Sequence, residues 1–121
     1  MKPIVHARNC VKKWGGNEND YLPIHEWFDQ TKSHFGDNRH RAILHNSFGI
    51  FLCEQMFGRI LVNSDGKEVH VRDIGELHVF EDLGAIPPIS AYLNHIDIKK
   101  APWILGSRRH KNYKRTVHKN A

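Results

Sequence analysis

The sequence predicts a mainly α-helical, compact domain of about five helices with one short β-hairpin. Apolar residues recur at three- and four-residue spacing in several segments, Gly and Pro punctuate those segments, and one Asp-Gly turn lies between two short β-rich runs. At 121 residues, 40% of them hydrophobic and 26% charged, the chain is long enough for one core and too short for two ordinary domains.

The first helix is expected over residues 3–14, where Pro3 suits the opening turn and Gly15-Gly16 stops the run. A polar loop follows over Asn17–Asp20, and a second helix starts near Pro23 and reaches about Phe35 before Gly36. The third helix is capped by Asp37 or Asn38 and carries Ala42, Ile43, Leu44, Phe48, Phe51, Leu52 and Met56 on one face as far as Phe57-Gly58. Gly49 inside it costs about 1 kcal/mol relative to alanine, which calls for a close neighbour. Arg59–Asn63 and Glu68–Arg72 flank Ser64-Asp65-Gly66-Lys67 and read as the hairpin.

Asp73-Ile-Gly-Glu76 has capping-box spacing for a fourth helix that Gly84 ends. Pro87-Pro88 opens a last short helix through about Leu93, and Ala101–Gly106 is a closing segment that brings Trp103 to the core.

The net charge of +5 suggests nucleic acid until it is located. Residues 107–121 hold six basic side chains (Arg108, Arg109, Lys111, Lys114, Arg115 and Lys119) and no acid, leaving 12 basic against 13 acidic residues in 1–106. The domain is therefore assigned to residues 1–106, with 107–121 as a basic disordered tail able to touch a phosphate backbone. No apolar run spans a bilayer and no secretory signal opens the chain, so a cytoplasmic protein is expected, without membrane contact. Cys10 and Cys53 lack CxxC partners and read as buried thiols.

Ten histidines is several times ordinary usage, and their spacing is informative. His25 with Asp29, and His78 with Asp82, are each four residues apart, which sets an imidazole beside a carboxylate on one helical face. Arg41 and His45 share that relation, while His40, Ser47 and Glu54 recur every seven residues and form a stripe. One His-x3-Asp pair alone is an ordinary local hydrogen bond. Two such pairs together with His40, His45 and Glu54 point to a shared site for a divalent cation, zinc, manganese or iron.

In that reading His25, His40, His45, His78 and Asp82 are metal ligands, Glu54 and Asp29 are acid–base groups, and Arg41 or Arg72 steadies a phosphoryl group. His6 is a candidate of second rank. His34 and His95 suit helix ends, and His70 faces solvent. Cys53 beside Glu54 in an apolar helix is not activated, and Ser47, two residues past His45, points away from it, so acyl transfer finds no support. HExxH, an adjacent His-Asp dipeptide, a P-loop and GxGxxG are all absent.

Taken together, Tyr21–Asp29, Arg39–Ala42 with His45, Gly49–Phe51, Ser64–Gly66, Gly75-Glu76 with His78-Val79, Glu81–Gly84 and Pro102-Trp103 resemble a family of small uncharacterised proteins from bacteria and their phages. The resemblance covers about residues 6–106. It implies a self-contained cytoplasmic domain of mobile-element or phage origin and names no reaction; the basic tail lies beyond the family's usual end. Three readings follow: a metal-dependent phosphoester or nucleotide hydrolase, a non-catalytic accessory module holding a nucleotide or other phosphate-bearing ligand, and nucleic-acid binding through the tail.

Overall fold

The computed structural model describes residues 1–107, so the basic tail, with His110 and His118, lies outside the described residues apart from its first position. The described chain is mainly helical, with one two-stranded antiparallel hairpin, as the sequence predicts. It divides into a unit over Met1–Ile89 and a second beginning at Ser90.

Helix α1 runs over Pro3–Trp14, with Lys12 and Lys13 in its last turn, where positive charge complements the carbonyl end. Helix α2 spans Glu18–Asp29, so the expected polar loop is in fact the helix's first turn. The side chain of Asn17 accepts from the Asn19 backbone N–H and that of Asp20 accepts from the Asn17 backbone N–H, a capping box built without Ser or Glu. Pro23 therefore lies inside α2, which ends six residues before Phe35 and gives way to a 3-10 turn over Gln30–Ser33.

The expected third helix is two helices. A 3-10 turn at Asn38–His40, capped by the Asp37 side chain, leads into α3 over Arg41–Leu44, and α4 covers Ser47–Phe57. Asn46 makes the break: its side chain accepts from the Gly49 N–H and donates to the Ala42 and Ile43 carbonyls, so one buried amide both closes α3 and caps α4. Gly49 is required here because a Cβ would run into the Leu44 carbonyl.

Strands β1 (Ile60–Val62) and β2 (Glu68–His70) pair with Leu61 opposite Val69, and only Val69 is fully buried. Asp20 accepts from both the N–H and the hydroxyl of Ser64, while Asp65 accepts from the Gly16 N–H, tying the hairpin to the start of α2. Helix α5 covers Val71–Leu83, starting before the predicted capping box and ending at a left-handed Gly84. At Gly75 a Cβ would lie 3.2 Å from Phe28 Cζ and 3.4 Å from Ile50 Cγ2, so the missing side chain lets α5 close on α2 and α4.

The core of the first unit joins Ala7 and Cys10 of α1, Tyr21, Ile24 and Phe28 of α2, Leu44 of α3, Ile50 and Cys53 of α4, Val69 of β2, and Val71, Ile74 and Val79 of α5. Both thiols are free and buried, and burial pushes each up to about 12, in keeping with an inert role. In the second unit, α6 is confined to Ser90–Leu93 and a 3-10 turn occupies Pro102–Leu105, whose Trp103 is half exposed. Among the described residues, no helix is long and apolar enough to cross a membrane.

Candidate metal centre

Helical spacing does what the sequence predicts at two places. His25 and Asp29 project from the end of α2, His78 and Asp82 from α5, and all four side chains enter one buried cluster. His45, at the carboxyl end of α3, joins them because the Asn46 break turns the chain there. His6 comes in from α1.

Four donor atoms converge most tightly: His45 Nε2, His78 Nε2, Asp29 Oδ1 and one oxygen of Asp82. Asp82 Oδ2 stands 2.9 Å from His45 Nε2 and 3.3 Å from His78 Nε2. Asp29 Oδ1 stands 3.5 Å from His45 Nε2 and 3.4 Å from His78 Nε2. The two imidazole nitrogens are 3.2 Å apart. A regular tetrahedron of donors around a zinc ion about 2.0–2.1 Å from each has edges of about 3.3–3.4 Å, and these five distances run from 2.9 to 3.5 Å.

Two chains of polar contacts reach this group from α1. In the first, His78 Nδ1 lies 2.9 Å from His25 Nδ1, and His25 Nε2 lies 3.2 Å from Cys10 Sγ. Burial, then the neighbouring imidazoles of His78 and His6, hold His25 down to about 2, so it is neutral. With its Nδ1 accepting from His78 and its Nε2–H donating to Cys10, His25 would leave His78 Nε2 to face the other three donors. In the second, Asn9 donates to Glu81 Oε2 at 2.7 Å, His6 Nδ1–H donates to Glu81 Oε1 at 2.7 Å, and His6 Nε2 stands 3.2 Å from Asp82 Oδ1.

The charges are arranged for a cation. Burial pushes the Asp82 carboxyl up, but the imidazoles of His45, His6 and His78 and the amino terminus, 3.1 Å away, hold it far below the ordinary range. Burial also opposes ionisation of Asp29, and His78, Lys32 and His45 outweigh it, leaving the carboxyl lowered. Burial lowers His45 below its ordinary value against the pull of Asp82. At His78 burial pulls the same way, but hydrogen bonds to Asp29 and Asp82 prevail and raise it.

The other predicted site residues fall into two groups. His40 is buried beside the cluster, its ring centroid 5.8 Å from that of His45, its Nδ1 3.2 Å from the Thr31 hydroxyl and its Nε2 without a hydrogen-bond partner. Burial lowers it, so it is a neutral neighbour of the four donors and lies outside the converging set. Arg41 reaches the edge, its Nη2 3.9 Å from Asp82 Oδ1 and its Nε buried without a partner. Glu54 is elsewhere: it lines a surface groove with Ser47, Ile50, Phe51, Arg72, Glu76 and Ile86. The His40–Ser47–Glu54 stripe needs one continuous helix, and the break at Asn46 dissolves it. Arg72 spends its guanidinium on Glu76 at 2.9 Å. His34, His70 and His95 are exposed.

Sequence reasoning undervalued His6 and passed over Asn9, Cys10 and Glu81 as parts of the site. The available signals were the four-residue spacing of His6 and Cys10 on α1 and the place of Glu81 beside Asp82.

A family model described as a domain of unknown function (DUF6915) matches residues 1–104, and the chain belongs to that family. No curated protein and no solved structure matches it.

Proposed function

We propose that this member of the family is a divalent-metal-binding domain whose centre is Asp29, His45, His78 and Asp82, and that the centre hydrolyses a phosphoester or nucleotide. The convergence of two imidazole nitrogens and two carboxylate oxygens, at the spacing a zinc-sized cation demands, carries the reading. Such a mixed donor set suits zinc, manganese or iron. When bound, the cation would make a water hydroxide-like near neutral pH.

The protein's own groups have defined parts. Asp29 Oδ2 is buried with no hydrogen-bond partner, and is the group placed to take the proton from that water. Arg41, at the rim, would hold a phosphoryl oxygen through its guanidinium. Asn9, Glu81 and His6 orient Asp82, while Cys10 and His25 orient His78.

One observation favours a second, non-catalytic reading: the four donor side chains are all nearly closed to solvent, the carboxylates at 7% for Asp29 and 1% for Asp82, as in a closed structural site. Protein purified without a histidine tag decides between the two. Metal analysis and thermal melts with zinc or manganese test the centre, and turnover of nucleotides and nitrophenyl phosphoesters, with a chelator control, tests the chemistry. Cation-dependent turnover lost in Asp29→Ala supports hydrolysis; stabilisation without turnover supports the closed site; neither result leaves the centre without a basis.

A further inference from the structure

We infer that the outward faces of α4 and α5 form the interface of a symmetric dimer, with a second copy of this chain as the partner. Helix α4 is apolar on both sides. Gly49, Ile50 and Cys53 turn into the core, while Phe48, Phe51 and Met56 point outward and are exposed. A helix that is apolar all round is suited to burial between two neighbours, and the core covers only one side of α4.

The outward face continues beyond α4. A groove of about 260 Å3 beside Phe51 and one of about 600 Å3 beside Phe80 share Glu76 and Ile86, so one surface runs from α4 across α5 to Trp14. At its α4 end Phe48 and Phe51 stack on each other, with ring centroids 6.1 Å apart, which spares a partner the cost of ordering them.

The area matches a specific complex. Phe48, Phe51, Met56, Phe80 and Ile86 are 45, 51, 63, 57 and 38% exposed. At roughly 200 Å2 for a whole side chain of this size, they offer about 500 Å2 of apolar surface, near the top of the range for the largest patch on a monomer. An interface about three-fifths apolar would then span roughly 800 Å2 on each copy, the standard size.

The charges select a second copy as the occupant. Lys13, in the last turn of α1, and Asp73, in the first turn of α5, are both exposed and both line the larger groove. Lys13 lies over the Trp14 ring, 5.2 Å from its centroid, and among the described residues neither Lys13 nor Asp73 has a side-chain ion pair. Two unpaired charges of opposite sign on one face complement each other across a two-fold axis, where Lys13 of each copy meets Asp73 of the other. A partner with charge of a single sign would attract one and repel the other.

Sedimentation velocity of the full chain, freed of any tag and kept in chelator so that no cation bridges the copies, measures the association across a dilution series. The expected result is a dimer that dissociates on dilution and is weakened at least tenfold by Phe80→Glu. Lys13→Glu and Asp73→Lys should each weaken it at least tenfold, because like charges then meet twice across the axis. An equimolar mixture of those two variants should associate at least tenfold more tightly than either alone, since every pair is then opposite in sign. All three positions are exposed, so circular-dichroism melts of the dilute variants should match that of the unaltered chain. A monomer at every concentration overturns the inference. So does a dimer that none of the three variants weakens, or a mixture that associates no better than its components.

Discussion

Zinc added to the chelator-stripped protein should raise its melting temperature, and the structure sets the size and pH dependence of the gain. At free zinc a hundred times the dissociation constant, binding to the folded state alone contributes about 2.7 kcal/mol. A domain of this size moves about 4–8 °C per kcal/mol, so the expected shift is roughly 11–22 °C. Three of the four ligands need no change of protonation near pH 7. Asp29 and Asp82 are lowered and already ionised, and His45 is lowered and already neutral. His78 is the exception, because its proton is held above the ordinary imidazole value by Asp29 and Asp82 against the effect of burial. Below that raised value zinc competes with one proton, so each unit of falling pH costs about 1.4 kcal/mol of binding. At fixed zinc the gain should be full in mildly alkaline buffer and shrink steadily towards pH 6. Circular-dichroism melts with and without zinc, each against its own chelated baseline, measure it. A gain that is equal at both pH values, or that survives in His78→Ala, would refute the assignment.

Gly49→Ala should lower stability by about 1–3 kcal/mol through the clash with the Leu44 carbonyl, although alanine is the better helix former; a stabilised variant in a denaturant titration would contradict the break between α3 and α4. Glu54→Ala should leave the zinc-induced shift unchanged, since Glu54 lines a separate groove, and a lost shift would put it back in the centre. Without metal, acid should destabilise the fold. His25 titrates near 2 when folded and about 6.5 when unfolded, so its contribution is complete above pH 6.5 and is lost progressively as the pH falls from there, by up to about 1.4 kcal/mol per unit. His40 and His45 act in the same direction and His78 in the opposite one, which makes the net slope downward; chelated melts equal at pH 7 and pH 5 would count against the neutral His25.

Where the site was legible, it was legible as helical geometry. Spacing of four residues put His25 with Asp29 and His78 with Asp82, and the folded chain delivers both pairs to one cluster, because each pair lies on a face that also carries core residues: Phe28 beside the first, Ile74 and Val79 beside the second. The break after His45 was hidden, since the apolar pattern from Ala42 to Met56 runs straight through it and the residue responsible, Asn46, acts through a buried amide that periodicity does not register. One continuous helix would have set Glu54 in line with His40, whereas the break leaves it lining a separate groove. The start of α2 was lost for a related reason. Asn17 and Asp20 have the composition of a polar loop, whereas their side chains cap the helix and Asp20 also holds the hairpin. Long-range partners such as His6 with Glu81 depend on how α1 crosses α5, which no local pattern encodes.

His78 and Asp82 ride on one unbroken helix, Asp82 in its last turn, but His45 sits at the joint where α3 meets α4, with φ −82° and ψ 65°. An ion gripping all of them would bolt that joint to α5. Bending at the joint moves one ligand in four, and so offers the smallest motion by which a cation shut in among helices could enter or leave.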